Sequence, residues 1–208
     1  MRSRWISIPL LALVLAVLAG EAAFLYWRAR LPNEKPCDPI IVAVARDTGI
    51  DPFLIRALIW RESRFNPMTH GTAADERGLM QVTPTVGEMW AKANKIPDFK
   101  PDDLYDPTTN IRAGTWYLSR SMQRWNKTDD PVTFALAEYN AGRSNALKWV
   151  DPNAPTDHTA FLERITFPST RKYVEDIETR RDEYKQTLVG NRWYQEFFPA
   201  QSSMTTSP

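Results

Sequence analysis

The chain has 208 residues, enough for one domain with a sizeable core once a targeting segment of about 30 residues is set aside. Its 26 Lys and Arg nearly balance 25 Asp and Glu, for a formal net charge of +1, so nothing marks it for nucleic acid or strong electrostatic steering. A total of 24 aromatic residues (8 Trp, 7 Tyr, 9 Phe) argues against disorder. The single cysteine, Cys37, excludes an intramolecular disulfide, and the only histidines, His70 and His158, stand outside any ligand pattern, so neither metal nor cofactor is expected.

The N-terminus opens with "MRSR" and an apolar run from Trp5 to Trp27. A run of about 20 apolar residues is long enough to span a bilayer. Residues 1–30 read as a signal anchor through residues 5–27, with Trp5, Tyr26 and Trp27 as interfacial anchors. A cleaved signal peptide is the alternative, because "LAGEAA" offers a small-residue site. Arg2 and Arg4 are balanced by Arg28 and Arg30, so charge bias does not fix the orientation.

Residues 31–37 read as a linker, with Pro32 and Pro36 resisting helix and Cys37 as an ordinary linker residue. Asp38-Pro39 and Asp51-Pro52 each suggest an N-cap aspartate before a proline at the first helical position. The first of these helices is expected to stop at Gly49, and the second to run from Pro52 to about Arg64. A loop follows through Pro67, Gly71 and Gly78, then a helix after Thr83 and Pro84 and an irregular "KIPDFKPDDLYDP". A longer helix spans Pro107 to Trp125, with Ile111, Gly114, Thr115, Leu118 and Met122 on one stripe. Another runs from Pro131 to Gly142, "SNALKWV" adds a short one, and "PSTRKYVEDIETRRDEYKQTL" forms the last. Its apolar residues are Tyr173, Val174, Ile177 and Tyr184. No period-two run marks a strand, so the class is all-α with seven to nine helices over residues 38–199. Residues 200–208 read as a disordered tail.

One position in this pattern is chemically odd. Ile55, Leu58, Ile59 and Glu62 share a helical face. Three suit a core, whereas an ionised carboxylate is costly to bury unless it is paired or takes up a proton. Neighbouring arginines at one or two residues' distance do not share that face, so an ion pair would need a remote partner. The other reading is a carboxylic acid kept protonated near neutral pH, which suits a general acid.

Five segments, in order, carry a family resemblance. "RES" at 61–63, "GLMQVTP" at 78–84, "LYDPTTNIRAGTWYL" at 104–118, "ALAEYNAG" at 135–142 and "TRKYVEDI" at 170–177 resemble the motifs of the lytic transglycosylase (SLT, lysozyme-like) domain. The resemblance covers about residues 38–187 and implies a lysozyme-like helical fold. It implies that Glu62 is the single catalytic acid/base. Ser63, Gln81, Tyr139 and Asn140 correspond to residues that shape the cleft and hold sugar or the glutamate, and Met80 to a methionine near the bound sugar. Tyr139 is expected to hydrogen-bond the Glu62 carboxyl. Trp60, Trp90 and Tyr117 are further candidates to face sugar rings.

The implied substrate is the glycan strand of peptidoglycan. Glu62 would protonate the oxygen between N-acetylmuramic acid and N-acetylglucosamine, then accept the muramic 6-hydroxyl proton as a 1,6-anhydro ring closes. The chain departs from the family at "ADERG", 74–78, and at Glu138, where many relatives carry alanine. Glu138 is therefore counted with the cleft, and Asp75 and Glu76 are candidates for a second carboxylate. Three functions follow: a lytic transglycosylase, a muramidase that adds water, and a non-catalytic glycan-binding module of an envelope or secretion machine. The expected setting is the inner membrane with the domain in the periplasm, or the periplasm after signal cleavage. The protein is expected to be monomeric, with an envelope or secretion apparatus as its candidate partner.

Overall fold

The computed structural model describes residues 8–29 and 34–188. The chain divides into two compact units, Met1–Asn33 and Glu34–Pro208. The first contains helix α1, Ile8–Ala29. The side chains described within it, residues 12–22, are exposed. Among the described residues no helix is long and apolar enough to cross a membrane. Part of the expected span at 5–27, with Trp5, Tyr26 and Trp27, lies outside the described side chains, as does the expected tail at 200–208.

The regular elements of the second unit's described part are helices: α2 Asp38–Thr48, α3 Pro52–Ser63, α4 Pro84–Ala93, α5 Pro107–Arg124, α6 Pro131–Ala141, α7 Arg143–Trp149, α8 His158–Arg164 and α9 Pro168–Leu188. Short 3-10 turns occupy Lys35–Cys37 and Pro101–Tyr105. Extended pairing among the described residues is limited to isolated bridges such as Arg77 with Val82. The all-α expectation holds. Proline and caps set the helix starts: Asp51, Thr83, Asp106 and Asp130 each accept a backbone N–H of the first turn, with Pro52, Pro84, Pro107 and Pro131 following. Gly49 ends α2 in the left-handed conformation, φ 72°.

Two expectations fail at the domain's beginning. Asp38 is not an N-cap; α2 is capped by Cys37, and the Asp38 carboxylate instead accepts from buried Arg56. Arg56 also pairs with Glu34 at 2.7 Å, and Tyr184 donates to the other Glu34 oxygen at 3.0 Å. This anchoring draws Cys37 out of the expected linker and into the core, where it is 6% exposed. A third departure is α8, "HTAFLER", which is too short to show a helical period; Asp157 caps it by accepting from Thr159 and Ala160.

Helix α3 is the centre of the domain. Every residue from Phe53 to Ile59 is buried, so this helix is enclosed rather than amphipathic. It packs on α9, where Tyr173, Val174 and Ile177 are buried in the same core cluster as Ile55, Leu58 and Ile59. Each aliphatic side chain fully buried there contributes about 1.5–3 kcal/mol before entropy is counted. Helix α6 is similarly enclosed from Thr133 to Glu138 and packs between α5 and α9. The ends of these central helices deliver the functional side chains.

Candidate active site

Glu62 lies in the last turn of α3, where the core stripe reaches the surface. The chain turns sharply after it: Arg64 and Phe65 both adopt positive φ, 53° and 62°. Such values are strained for non-glycine residues and need support from their surroundings. The Arg64 guanidinium lies 3.5 Å over the Trp60 ring, and buried Ser63 donates to Ile59 O at 3.2 Å and Leu79 O at 2.7 Å. Ser63 thus ties the end of α3 to the loop that forms the opposite wall.

That loop hangs on Asn110, which is fully buried at the start of α5. Its Nδ2 donates to Arg77 O and Leu104 O, both at 2.7 Å, and its Oδ1 accepts from Met80 N at 2.7 Å. Gly78 makes the approach possible: φ is 75°, and a Cβ there would stand 2.3 Å from Leu104 O. Gln81, at φ 46°, donates through Nε2 to Thr69 O at 3.0 Å and Gly78 O at 2.8 Å. Its amide donor therefore holds the loop, and only its oxygen remains to meet a ligand.

Between these walls runs an open cleft of about 530 Å³. Glu62, Glu76, Gln81, Tyr139 and Asn140 line it, together with Tyr117, Val86 and the backbone around Gly71 and Gly142. Asn140 is oriented by Thr170, whose hydroxyl donates to its Oδ1 at 2.7 Å. Tyr117 packs edge-on against Tyr139, ring centroids 5.6 Å apart.

Glu62 makes no ion pair among the described residues; Arg61 pairs with Asp176 instead. Burial raises the Glu62 pKa to about 7, opposed by the hydrogen bond from Tyr173 and by the Arg61 charge, and assisted by the Glu76 charge. At neutral pH it is therefore divided between acid and carboxylate, the condition in which one group can give and then take a proton.

Several expected positions stand elsewhere. Tyr139 does not bond the Glu62 carboxyl; its hydroxyl donates to Met80 O at 2.9 Å. The hydroxyl that reaches Glu62 Oε1 belongs to Tyr173 of α9. Ser63 and Met80 lie buried outside the cleft lining. Met80 packs on α5, where a Cβ at Gly114 would stand 2.8 Å from its own Cβ. Glu138 is not a cleft residue: it is fully buried and accepts from Ser121 at 3.1 Å, Trp125 Nε1 at 2.8 Å and Arg124. Asp75 turns to Arg77 at 2.7 Å and His70 at 3.5 Å. Of the candidate sugar-facing aromatics, Tyr117 lines the cleft. Trp60 is held between Arg64 and Arg180, and Trp90 is buried against Phe99.

Comparison with known proteins places this architecture. Residues 39–161 match the Transglycosylase SLT domain. The chain belongs to that family. It is 34% identical over 149 residues to the soluble lytic murein transglycosylase of Salmonella typhimurium, covering 71% of this chain and 22% of that protein. It is also 34% identical over 120 residues to the membrane-bound lytic murein transglycosylase C of Actinobacillus pleuropneumoniae, covering 54% and 32%. Among solved structures, the lytic transglycosylase Slt of Pseudomonas aeruginosa, an inactive Glu-to-Gln mutant, superposes with a TM-score of 0.65 and 27% identity over 73% of this chain and 24% of that one. The chain thus spans less than a third of the length of each of these proteins. The likeness bears out the lysozyme-like helical fold expected from the motifs.

Proposed function

We propose that this SLT-domain protein is a peptidoglycan lytic transglycosylase with Glu62 as its single acid/base. The observation that carries the proposal is the state of Glu62: a desolvated carboxyl with a pKa of about 7, free of ion pairs among the described residues, at the wall of an open cleft. A structural ion pair would have held this group ionised, and a binding module has no need of a carboxyl poised between two protonation states.

Glu62 donates its proton to the oxygen bridging N-acetylmuramic acid and N-acetylglucosamine. The C1–O bond breaks with its electron pair leaving on that oxygen, and positive charge develops at C1. The substrate's own 2-acetamido oxygen shares that charge. Glu62, now a carboxylate, takes the proton of the muramic 6-hydroxyl as its oxygen closes onto C1. One protein carboxylate suffices, where most glycosidases use two. Tyr173 fixes the carboxyl's direction and supports its ionised form during the second half of the reaction. The free Gln81 oxygen and Asn140 suit acetamido and hydroxyl groups, and the Tyr117 face suits a sugar ring.

The catalytic domain, residues 38–199, acts in the periplasm, and residues 5–27 anchor it in the inner membrane. The apolar run at the start of the sequence supports that placement. Retention in the pelleted membrane after alkaline extraction checks the anchor; release of the whole protein would remove it. The activity itself is tested by mass spectrometry of soluble fragments from purified sacculi, with wild type and Glu62→Gln in parallel. Muropeptides ending in 1,6-anhydromuramic acid from wild type alone support the reading. Fragments heavier by one water replace it with a muramidase.

A further inference from the structure

We propose that Glu76 is a second functional carboxylate of this cleft, whose fixed negative charge stabilises the cation that develops on the sugar as Glu62 cleaves the glycosidic bond. The proposal rests on the transglycosylase reading of Glu62.

Three observations set Glu76 apart from an ordinary loop acid. First, it lines the same cleft as Glu62. Second, its carboxyl is held in place by backbone. Gly71 N donates to Glu76 O at 2.8 Å, closing the loop on itself. Ala74 N donates to Glu76 Oε2 at 3.0 Å. A Cβ at residue 71 would stand 2.4 Å from that same oxygen, so glycine there leaves the space the carboxyl occupies. Third, its charge is uncompensated. Among the described residues no cation pairs with Glu76, whereas the adjacent Asp75, turned away by its positive φ of 57°, is bound by Arg77 and His70. The loop thus separates two consecutive acids, one neutralised beside the cleft and one left bare within it.

A carboxylate fixed in the cleft with no cation beside it among the described residues gains an electrostatic partner only when positive charge develops there. The only positive charge in the proposed reaction is the one on C1 and its acetamido oxygen. Before bond cleavage the cleft holds neutral Glu62 and anionic Glu76. After it, Glu62 is also anionic and the sugar is cationic, so Glu76 interacts favourably with the transition state and not with the neutral ground state. Such preorganised charge lowers the barrier. The same charge disfavours early ionisation of Glu62. Glu76 forms no bond and carries no proton: the proton goes from Glu62 to the leaving oxygen and returns from the 6-hydroxyl.

The test compares the full-length wild type, Glu76→Gln and Glu76→Asp on sacculi, reading kcat, KM, the pH profile and the product. Glutamine keeps an oxygen to accept from Ala74 N, so unfolding midpoints near wild type are expected. The proposal expects kcat for Glu76→Gln to fall roughly ten- to a hundredfold with KM little changed. The alkaline limb of kcat/KM should move to lower pH, because Glu62 then ionises more easily. Products remain 1,6-anhydro, and Glu76→Asp, which keeps the charge, recovers the limb and much of the rate. An unchanged rate and profile in Glu76→Gln beside an active wild type overturn this proposal alone. So does a rate loss matched by loss of folded protein. A wild type that yields hydrated products which Glu76→Gln converts to anhydro ones also overturns it, by making Glu76 a base for water. A wild type releasing no anhydro product removes the transglycosylase reading itself.

Discussion

Replacing Glu62 by glutamine should stabilise the protein at alkaline pH and leave it nearly unchanged in acid. The Glu62 pKa rises from the ordinary 4.5 to about 7 on folding, chiefly through burial. Between those values the folded protein holds a proton that the unfolded chain has released, so stability falls as pH rises through this window. The favourable contribution is fully present below 4.5 and lost above about 7. The gap converts at about 1.4 kcal/mol per unit to roughly 3 kcal/mol. Partial solvent access at this half-buried residue reduces it to about 2 kcal/mol. Glutamine matches the shape and carries no charge. Urea unfolding of both proteins at about pH 4.5 and pH 8 should show the variant's advantage growing by about 2 kcal/mol, while every other titrating group cancels. A difference independent of pH would mean that Glu62 ionises in the folded protein as it does in the unfolded chain, against the raised pKa.

Three further outcomes follow from the same geometry. Tyr173→Phe removes the hydroxyl that donates to Glu62; at about 1.5 kcal/mol for a bond to a charged group, the Glu62 pKa should rise by about one unit, moving the alkaline limb of kcat/KM upward while kcat falls. A limb that stays in place would show that this contact does not act on the acid. Asn110→Ala leaves Met80 N, Arg77 O and Leu104 O without their partner and should cost about 3 kcal/mol by denaturant unfolding; a cost below about 1 kcal/mol would mean the loop finds its place without this hub. Burial pushes the Cys37 thiol up to about 11, so a thiol reagent at neutral pH should label it only after unfolding; labelling of the native protein at the rate of the denatured one would contradict its burial.

Much of this architecture is written locally. The Asp-Pro and Thr-Pro pairs that start α3, α4, α5 and α6 are caps whose mechanism acts within one turn, and the structure uses them so. The Glu62 anomaly was also local, because three core residues and an acid on one face admit few explanations. Partners were harder to read, because they depend on what packs against what. Asp38 has the same local signal as Asp51, yet a buried arginine 18 residues away takes its carboxylate from the cap. Glu138 and Glu76 are both acids where the chain departs from the family pattern, and only the fold decides that one meets Arg124 in the core while the other faces the cleft. Tyr173 and Tyr139 are two phenols from different helices near one acid. The sequence motif favoured Tyr139, but the packing of α9 on α3 brings Tyr173, 111 residues away in sequence, to the carboxyl. The one available hint was chemical: a tyrosine on the buried stripe with Val174 and Ile177 needs a partner for its hydroxyl.

In the proposed reaction Glu62 both gives and takes the proton, and water is excluded as a reactant. Mass spectrometry of soluble fragments from sacculi digested by the full-length protein, and by Glu62→Gln, tests it most directly. The wild type should release 1,6-anhydromuramic ends and the variant no fragments. Fragments one water heavier, or equal release by the variant, would contradict it.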